Sequence, residues 1–136
     1  MTDSKMIKRI LVVDDQAAAR RVISGIMSGH GHVDMAENGQ DAVTRYAGAL
    51  EDGWPYDLIC LDITMPGLLN GNQVVHCIRA HEEKMDIRRQ VPVVMISSHS
   101  DMSAVAVELG AHGASDYITK PFDHARLNEV IQRYLY

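Results

Sequence analysis

The sequence predicts an α/β fold, a doubly wound five-stranded parallel sheet with five helices, in one domain over residues 1–136. Three observations carry this. Short apolar runs without helical period stand at 9–13, 58–61 and 93–97, as in strands buried on both faces of a parallel sheet. Amphipathic stretches alternate with them, which implies right-handed crossovers with helices on both faces. Polar groups then follow or end four of the strands: Asp14 and Asp15, Asp62, Ser97, and Lys120. In such sheets, function gathers at the carboxyl ends of the strands.

Taken in order, Arg9-Ile10-Leu11-Val12-Val13 is the first strand, halted by the acidic pair. Val22, Ile23, Ile26 and Met27 recur at helical spacing, with Gly29 to Gly31 as the stop. Residues 33–36 form a short second strand. Asn38 can cap a helix whose buried face is Val43, Tyr46, Ala47 and Leu50, and Gly53 follows it. The central strand is Leu58-Ile59-Cys60-Leu61-Asp62, ended by Met65-Pro66-Gly67. Val74, Val75 and Ile78 mark a third helix, expected to fray into the charged stretch 81–89. Residues 93–97 are the fourth strand, with Pro92 at its start, where a missing N–H is tolerable. Asp101 caps a helix over 102–109, and residues 116–119 form the fifth strand. Leu127, Val130, Ile131, Tyr134 and Leu135 give a clear helical stripe for the last element.

Composition narrows the function classes. The 136 residues are 46% hydrophobic, enough for one buried core without staples. A net charge of −5 leaves no basic footprint for a nucleic-acid partner. No apolar run approaches the roughly 20 residues needed to span a bilayer, and the polar leader 1–5 lacks a secretory h-region. Cys60 and Cys77 fall in core elements, which suits reduced thiols in the cytoplasm better than a disulfide. The seven histidines are scattered, with no transition-metal ligand set among them.

The strand ends bring three carboxylates, a hydroxyl and an amine to one edge. Close carboxylates repel unless a cation neutralises them. An all-oxygen set with room for water suits Mg²⁺, which takes a few carboxylates plus a phosphate. An Asp beside that ion and a Lys is a credible phosphoryl acceptor, and Ser97 could donate to a phosphoryl oxygen. The residues themselves thus point to Mg²⁺-dependent formation of an aspartyl phosphate. Simpler roles exist for each. Asp14 and Asp15 could cap the first helix, Ser97 could be a turn hydroxyl, and Tyr117 a plain strand aromatic.

Four motifs in order carry a resemblance: Val12-Val13-Asp14-Asp15, Leu61-Asp62-Ile63-Thr64-Met65-Pro66-Gly67, Val94-Met95-Ile96-Ser97-Ser98, and Asp116-Tyr117-Ile118-Thr119-Lys120-Pro121-Phe122. Together they resemble the receiver (phosphoacceptor) domains of two-component response regulators, of the single-domain, flavodoxin-like type, over residues 7–136. The resemblance implies roles position by position. Asp62 would accept the phosphoryl group from a sensor histidine kinase or a histidine phosphotransfer protein. Asp15 would bind Mg²⁺ directly, Asp14 mainly through water, and the Thr64 backbone carbonyl would complete the protein ligands. Lys120 would pair with Asp62 and later with the phosphoryl group. Ser97 and Tyr117 would be the switch pair, and the Lys120-Pro121 bond would be cis. Output would pass to a downstream protein through the helix over 102–109, the fifth strand and the last helix, the chain being a monomer or weak dimer. It would catalyse only its own phosphorylation and dephosphorylation.

There are departures too. Gly67-Leu68-Leu69-Asn70-Gly71 is one residue longer than the usual loop, with Asn70 in place of an acid, and 79–91 is extended. Thr64 and His99 occupy positions that tune phosphoryl lifetime in this family. Rival readings are weaker. A phosphatase of the haloacid-dehalogenase type needs a second Asp at position 64, which is Thr64. A flavodoxin-like cofactor binder needs a phosphate loop where Asp14 and Asp15 stand, and a degenerate docking module would lack part of the acidic set. Met1 and the polar leader favour an intact chain over a receiver excised from a larger regulator or hybrid kinase.

Overall fold

A computed structural model describes residues 7–63, 65, 67–98 and 113–136. In chain order the elements are β1 (Arg9–Val13), α1 (Ala17–Met27), β2 (His32–Ala36), α2 (Gly39–Glu51), β3 (Leu58–Asp62), α3 (Gly71–Lys84), β4 (Val93–Ser98), β5 (Asp116–Lys120) and α4 (His124–Leu135). The strands form one sheet in the order β2-β1-β3-β4-β5, every neighbouring pair parallel. The doubly wound expectation holds. Four helices lie among the described residues; the expected helix over 102–109, with its cap Asp101, lies outside them, as do Thr64 and His99.

The sheet is buried from both sides, which is why its strands read as continuous apolar runs. Leu11 and Val13 of β1, Ile59 and Leu61 of β3, and Val93 and Met95 of β4 pack with Ala42, Tyr46, Val74 and Ile78 of α2 and α3. The alternate residues Ile10, Val12, Leu58, Cys60, Val94 and Ile96 pack with Ile23, Met27, Leu127 and Ile131 of α1 and α4. Each Val, Leu, Ile or Met among them contributes about 1.5–3 kcal/mol on burial, so the strand ends sit on a rigid platform. Cys60 and Cys77 are free thiols, and complete burial pushes the Cys60 thiol up to about 12.

Three helix readings need correction. Val22 is 59% exposed, because α1 seats Ile23 and Met27 on the sheet and turns Val22 outward. In α2 the buried positions beyond the first are Ala42, Tyr46 and Ala49, while Val43 and Leu50 pack at the flank. The small Ala side chains let this helix lie close to the sheet. Asn38 does cap α2, its side chain accepting from the Asp41 N–H. Helix α3 does not fray at 81 but runs to Lys84. It ends in a Schellman pairing, with the Asp86 N–H on the Glu83 carbonyl (3.2 Å) and the Ile87 N–H on the Glu82 carbonyl (2.9 Å). Asp86 holds the left-handed position there (φ 54°), a place usually taken by glycine, so no residue type along the chain marks the stop.

At the opposite edge from the strand ends, Arg9 organises the loops. Its guanidinium lies 4.8 Å from the Trp54 ring centroid and 4.9 Å from that of Tyr56, and pairs with Asp34 at 3.0 Å. Asp34 also accepts from the Tyr56 hydroxyl at 2.7 Å and meets His32 Nε2 at 2.9 Å. Burial raises the Asp34 pKa, but the bonds from Tyr56, His32 and Arg9 together outweigh it, leaving the carboxyl below its ordinary 3.8. A depressed carboxylate stabilises the fold above its unfolded-state pKa, and that stability is lost as pH falls through the folded-state value. Asp34→Asn should therefore cost about 1–3 kcal/mol at neutral pH. The gap from wild type should close under acid below the ordinary carboxylate value, as urea melts across pH will show. A gap independent of pH would refute this assignment.

Candidate functional site

The strand order places the site. The chain leaves β1 for β2 on one side and returns to β3 on the other, which opens a crevice between the carboxyl ends of β1 and β3. Asp14 and Asp15 follow β1 directly, and Asp62 is the last residue of β3. The structure brings these three together: one carboxylate oxygen from each lies within 4.8 Å of the others. Asp14 is 1% exposed and Asp62 7% exposed, while Asp15 opens to solvent. At that spacing each pair of like charges costs about 3 kcal/mol or more at an effective dielectric of about 20. Such a cluster is one that could hold a metal ion.

Asp14 is fixed on every polar atom. Its Oδ1 accepts from the Gln16 N–H at 2.9 Å, its Oδ2 lies 3.4 Å from Lys120 Nζ, and its N–H donates to the Ala36 carbonyl at 3.2 Å. Its backbone carbonyl accepts from Arg20 Nη1 at 2.7 Å. The N-cap of α1 is Gln16, with no side-chain cap bond of its own, and Asp14 Oδ1 holds its N–H. Lys120, expected beside Asp62, makes its described ion pair with Asp14. The Lys120-Pro121 bond is cis.

Asp62 is held from behind by α3. The Gly71 N–H donates to the Ile63 carbonyl at 2.9 Å, and a Cβ at Gly71 would clash with the Asp62 carbonyl oxygen. Only glycine permits this approach. The unusual loop before it has a purpose as well. Asn70 caps α3 in a capping box with Gln73, and Leu69 packs against Gly39 of α2, where a Cβ would meet its carbonyl at 2.5 Å. The substitution of Asn for an acid at 70 thus keeps a side-chain acceptor for the helix N-terminus.

Ser97 is fully buried, in register with Thr119 and one residue before the Ser98–Lys120 pair. Tyr117, in register with Met95, is half inside, and its buried hydroxyl has no hydrogen-bond partner among the described residues. Burial pushes its pKa up. The sequence reading missed Arg20 and Gly71. A basic residue near the start of a helix works against the helix dipole, and that mismatch was the available signal for Arg20. Gly71 carried none, since nothing local shows what backbone lies behind it.

Three oxygen donors, one open to water, with an ammonium at one side, fit a hard divalent cation that keeps several waters. No helix among the described residues is long and apolar enough to cross a membrane.

Comparison with known proteins agrees with this geometry. The chain is 38% identical over 132 residues to the chemotaxis protein CheY of Bacillus subtilis, covering 96% of this chain and 99% of that one. It is 31% identical over 133 residues to the signal transduction histidine-protein kinase BarA of Shigella flexneri, covering 97% of this chain but only 13% of the kinase. The chain thus spans a small fraction of some relatives and nearly all of another. The crystal structure of the NtrX receiver domain from Brucella abortus superposes with a TM-score of 0.74 at 36% identity, over 93% of this chain and 97% of that one. Residues 10–132 match the response regulator receiver domain. With the 2-1-3-4-5 sheet and its acidic crevice, the chain belongs to the response regulator receiver domains.

Proposed function

We propose that Asp62 is the phosphoacceptor, taking its phosphoryl group from a sensor histidine kinase or a histidine phosphotransfer protein in a Mg²⁺-dependent reaction. The observation that carries this reading is the convergence of Asp14, Asp15, Asp62 and Lys120 at the β1/β3 crevice. A carboxylate oxygen of Asp62 attacks phosphorus, the new P–O bond forms as the P–N bond to the donor imidazole breaks, and the imidazole leaves with the bonding electron pair. Asp14, Asp15 and Asp62, with the Thr64 carbonyl, would hold Mg²⁺. The bound ion would supply positive charge against the carboxylates and phosphoryl oxygens. The Lys120 ammonium, held at Asp14 before reaction, donates to a phosphoryl oxygen, and the Ser97 hydroxyl donates to another. Tyr117 then takes up the space that Ser97 leaves, and this repacking carries the signal. The chain catalyses only its own phosphorylation and dephosphorylation.

An apolar groove lined by Ala18, Ala19, Val22, Pro121 and Phe122 runs beside Lys120 and supports docking of a donor helix there. The downstream protein would bind the face of the helix over 102–109, β5 and α4, the chain working as a monomer or weak dimer in the cytoplasm. The match over 99% of CheY supports a single receiver domain over 1–136. The 13% span of BarA favours a second reading, a receiver within a larger regulator or hybrid kinase. The mass of the native protein decides between them.

The test is labelling with a phosphorylated histidine kinase or a small phosphodonor, with Mg²⁺ or with chelator. Acid-stable, alkali-labile phosphate should form only with Mg²⁺; its absence with every donor would sink the reading. Thermal melts give an independent check. A cation that binds only the folded chain at ten times its Kd adds about 1.4 kcal/mol, or a Tm about 5 °C higher. Asp15→Ala should lose most of that rise. Equal melting temperatures for wild type with and without millimolar Mg²⁺ would contradict the site.

A further inference from the structure

Asp15 reaches the crevice from the exposed side of the chain, so its aim depends on the backbone that carries it. The peptide plane between Asp14 and Asp15 sets that aim, because it is rigid and leaves only the flanking torsions free. One side chain grips this plane. Arg20, one turn into α1 and 15% exposed, donates from Nη1 to the Asp14 carbonyl at 2.7 Å, and its Nη2 lies 3.7 Å from Glu37 Oε1 just after β2. The Asp14 N–H meanwhile donates to the Ala36 carbonyl at 3.2 Å. The guanidinium therefore spans from α1 to the end of β2 and clamps the hinge between the two acidic residues.

We propose that Arg20 is a positioning residue for the acidic pair, setting the cation affinity of the site through the Asp14–Asp15 peptide. This rests on the reading of Asp14 and Asp15 as cation ligands. Its sign distinguishes it from a charge effect. A guanidinium near a cation site weakens cation binding by repulsion, so removing it for charge alone would tighten Mg²⁺. Removing a clamp instead loosens the ligands and weakens Mg²⁺, by about tenfold for an outer-shell contact of this kind.

The experiment is a calorimetric Mg²⁺ titration of the whole chain in wild type, Arg20→Ala, Arg20→Lys, Glu37→Gln and Asp15→Ala. Arg20→Ala should raise the Mg²⁺ Kd about tenfold. Arg20→Lys keeps charge and one donor and should recover part of the loss. Glu37→Gln, which frees only the far end of the clamp, should shift Kd in the same direction by less. If Arg20→Ala folds poorly, Arg20→Lys against Glu37→Gln still reads the effect, since Lys keeps the charge and Glu37 is largely exposed. Unchanged or tighter Mg²⁺ binding in the Arg20 variants overturns the proposal. Wild-type binding in Asp15→Ala overturns instead the reading it rests on, and the clamp with it.

Discussion

Asp62→Asn should abolish phosphorylation while leaving the fold intact. Asp62 is the one carboxylate of the cluster that ends a strand buried along its whole length, with α3 packed against its own backbone. An amide at this position has the same shape but lacks the anionic oxygen that would form the proposed P–O bond, so labelling should fall by at least a hundredfold, as when a nucleophile is removed. Stability should hold or rise, because the substitution relieves repulsion from Asp14 and Asp15, which lie within 4.8 Å. Quantitative labelling with a small phosphodonor, beside a melt of each protein, reads both effects. Undiminished stoichiometric labelling of the variant would show that another group accepts the phosphate.

The largest effect on stability should come from a site far from the chemistry. Glu82 of α3 is 2% exposed and its carboxylate is divided between two partners. Oε1 accepts from Arg79 Nη1 at 2.7 Å, and Oε2 accepts from the Val91 N–H at 2.7 Å. Arg79 in turn donates from Nε to the Gly113 carbonyl at 2.9 Å. This network closes the extended segment between α3 and β4 and ties it to the chain entering β5. Glu82→Ala leaves the Arg79 guanidinium without its counter-ion and strands the Val91 N–H. Breaking one side of a buried pair costs about 3–5 kcal/mol, a large part of the stability of a domain this size. Urea unfolding should show that loss, with Mg²⁺ affinity preserved in whatever fraction remains folded. A cost below about 1 kcal/mol would mean that water replaces the lost partner.

The extended segment illustrates what the chain concealed. The run 81–89 is charged and carries no Gly or Pro, so it reads as a fraying helix end. It ends sharply because Asp86 accepts a left-handed conformation and because Glu82 has a partner nine residues on. The first is a backbone choice that an aspartate does not announce. The second is a contact whose worth depends on burial, which no local pattern records. The face of α2 was misjudged for a related reason, since alanines count weakly in an apolar pattern yet decide how near a helix can lie.

By itself the sequence determined the sheet, the alternation of strands and helices, and the identity of the groups at the strand ends. It could do so because a parallel sheet buried on both faces demands continuous apolar runs, and chain direction then sends every following residue to the same edge. Asp14, Asp15, Asp62 and Lys120, which the structure brings together, were legible at one edge on that ground alone. Only the tertiary structure decided how the set is wired. It gave Lys120 to Asp14, 106 residues away, laid Gly71 against the Asp62 carbonyl, and put Arg20 on the Asp14 carbonyl. These choices depend on distances of a few ångströms between separately folded elements. Such distances follow from how the helices pack on the sheet, and side-chain order along the chain does not encode them one residue at a time.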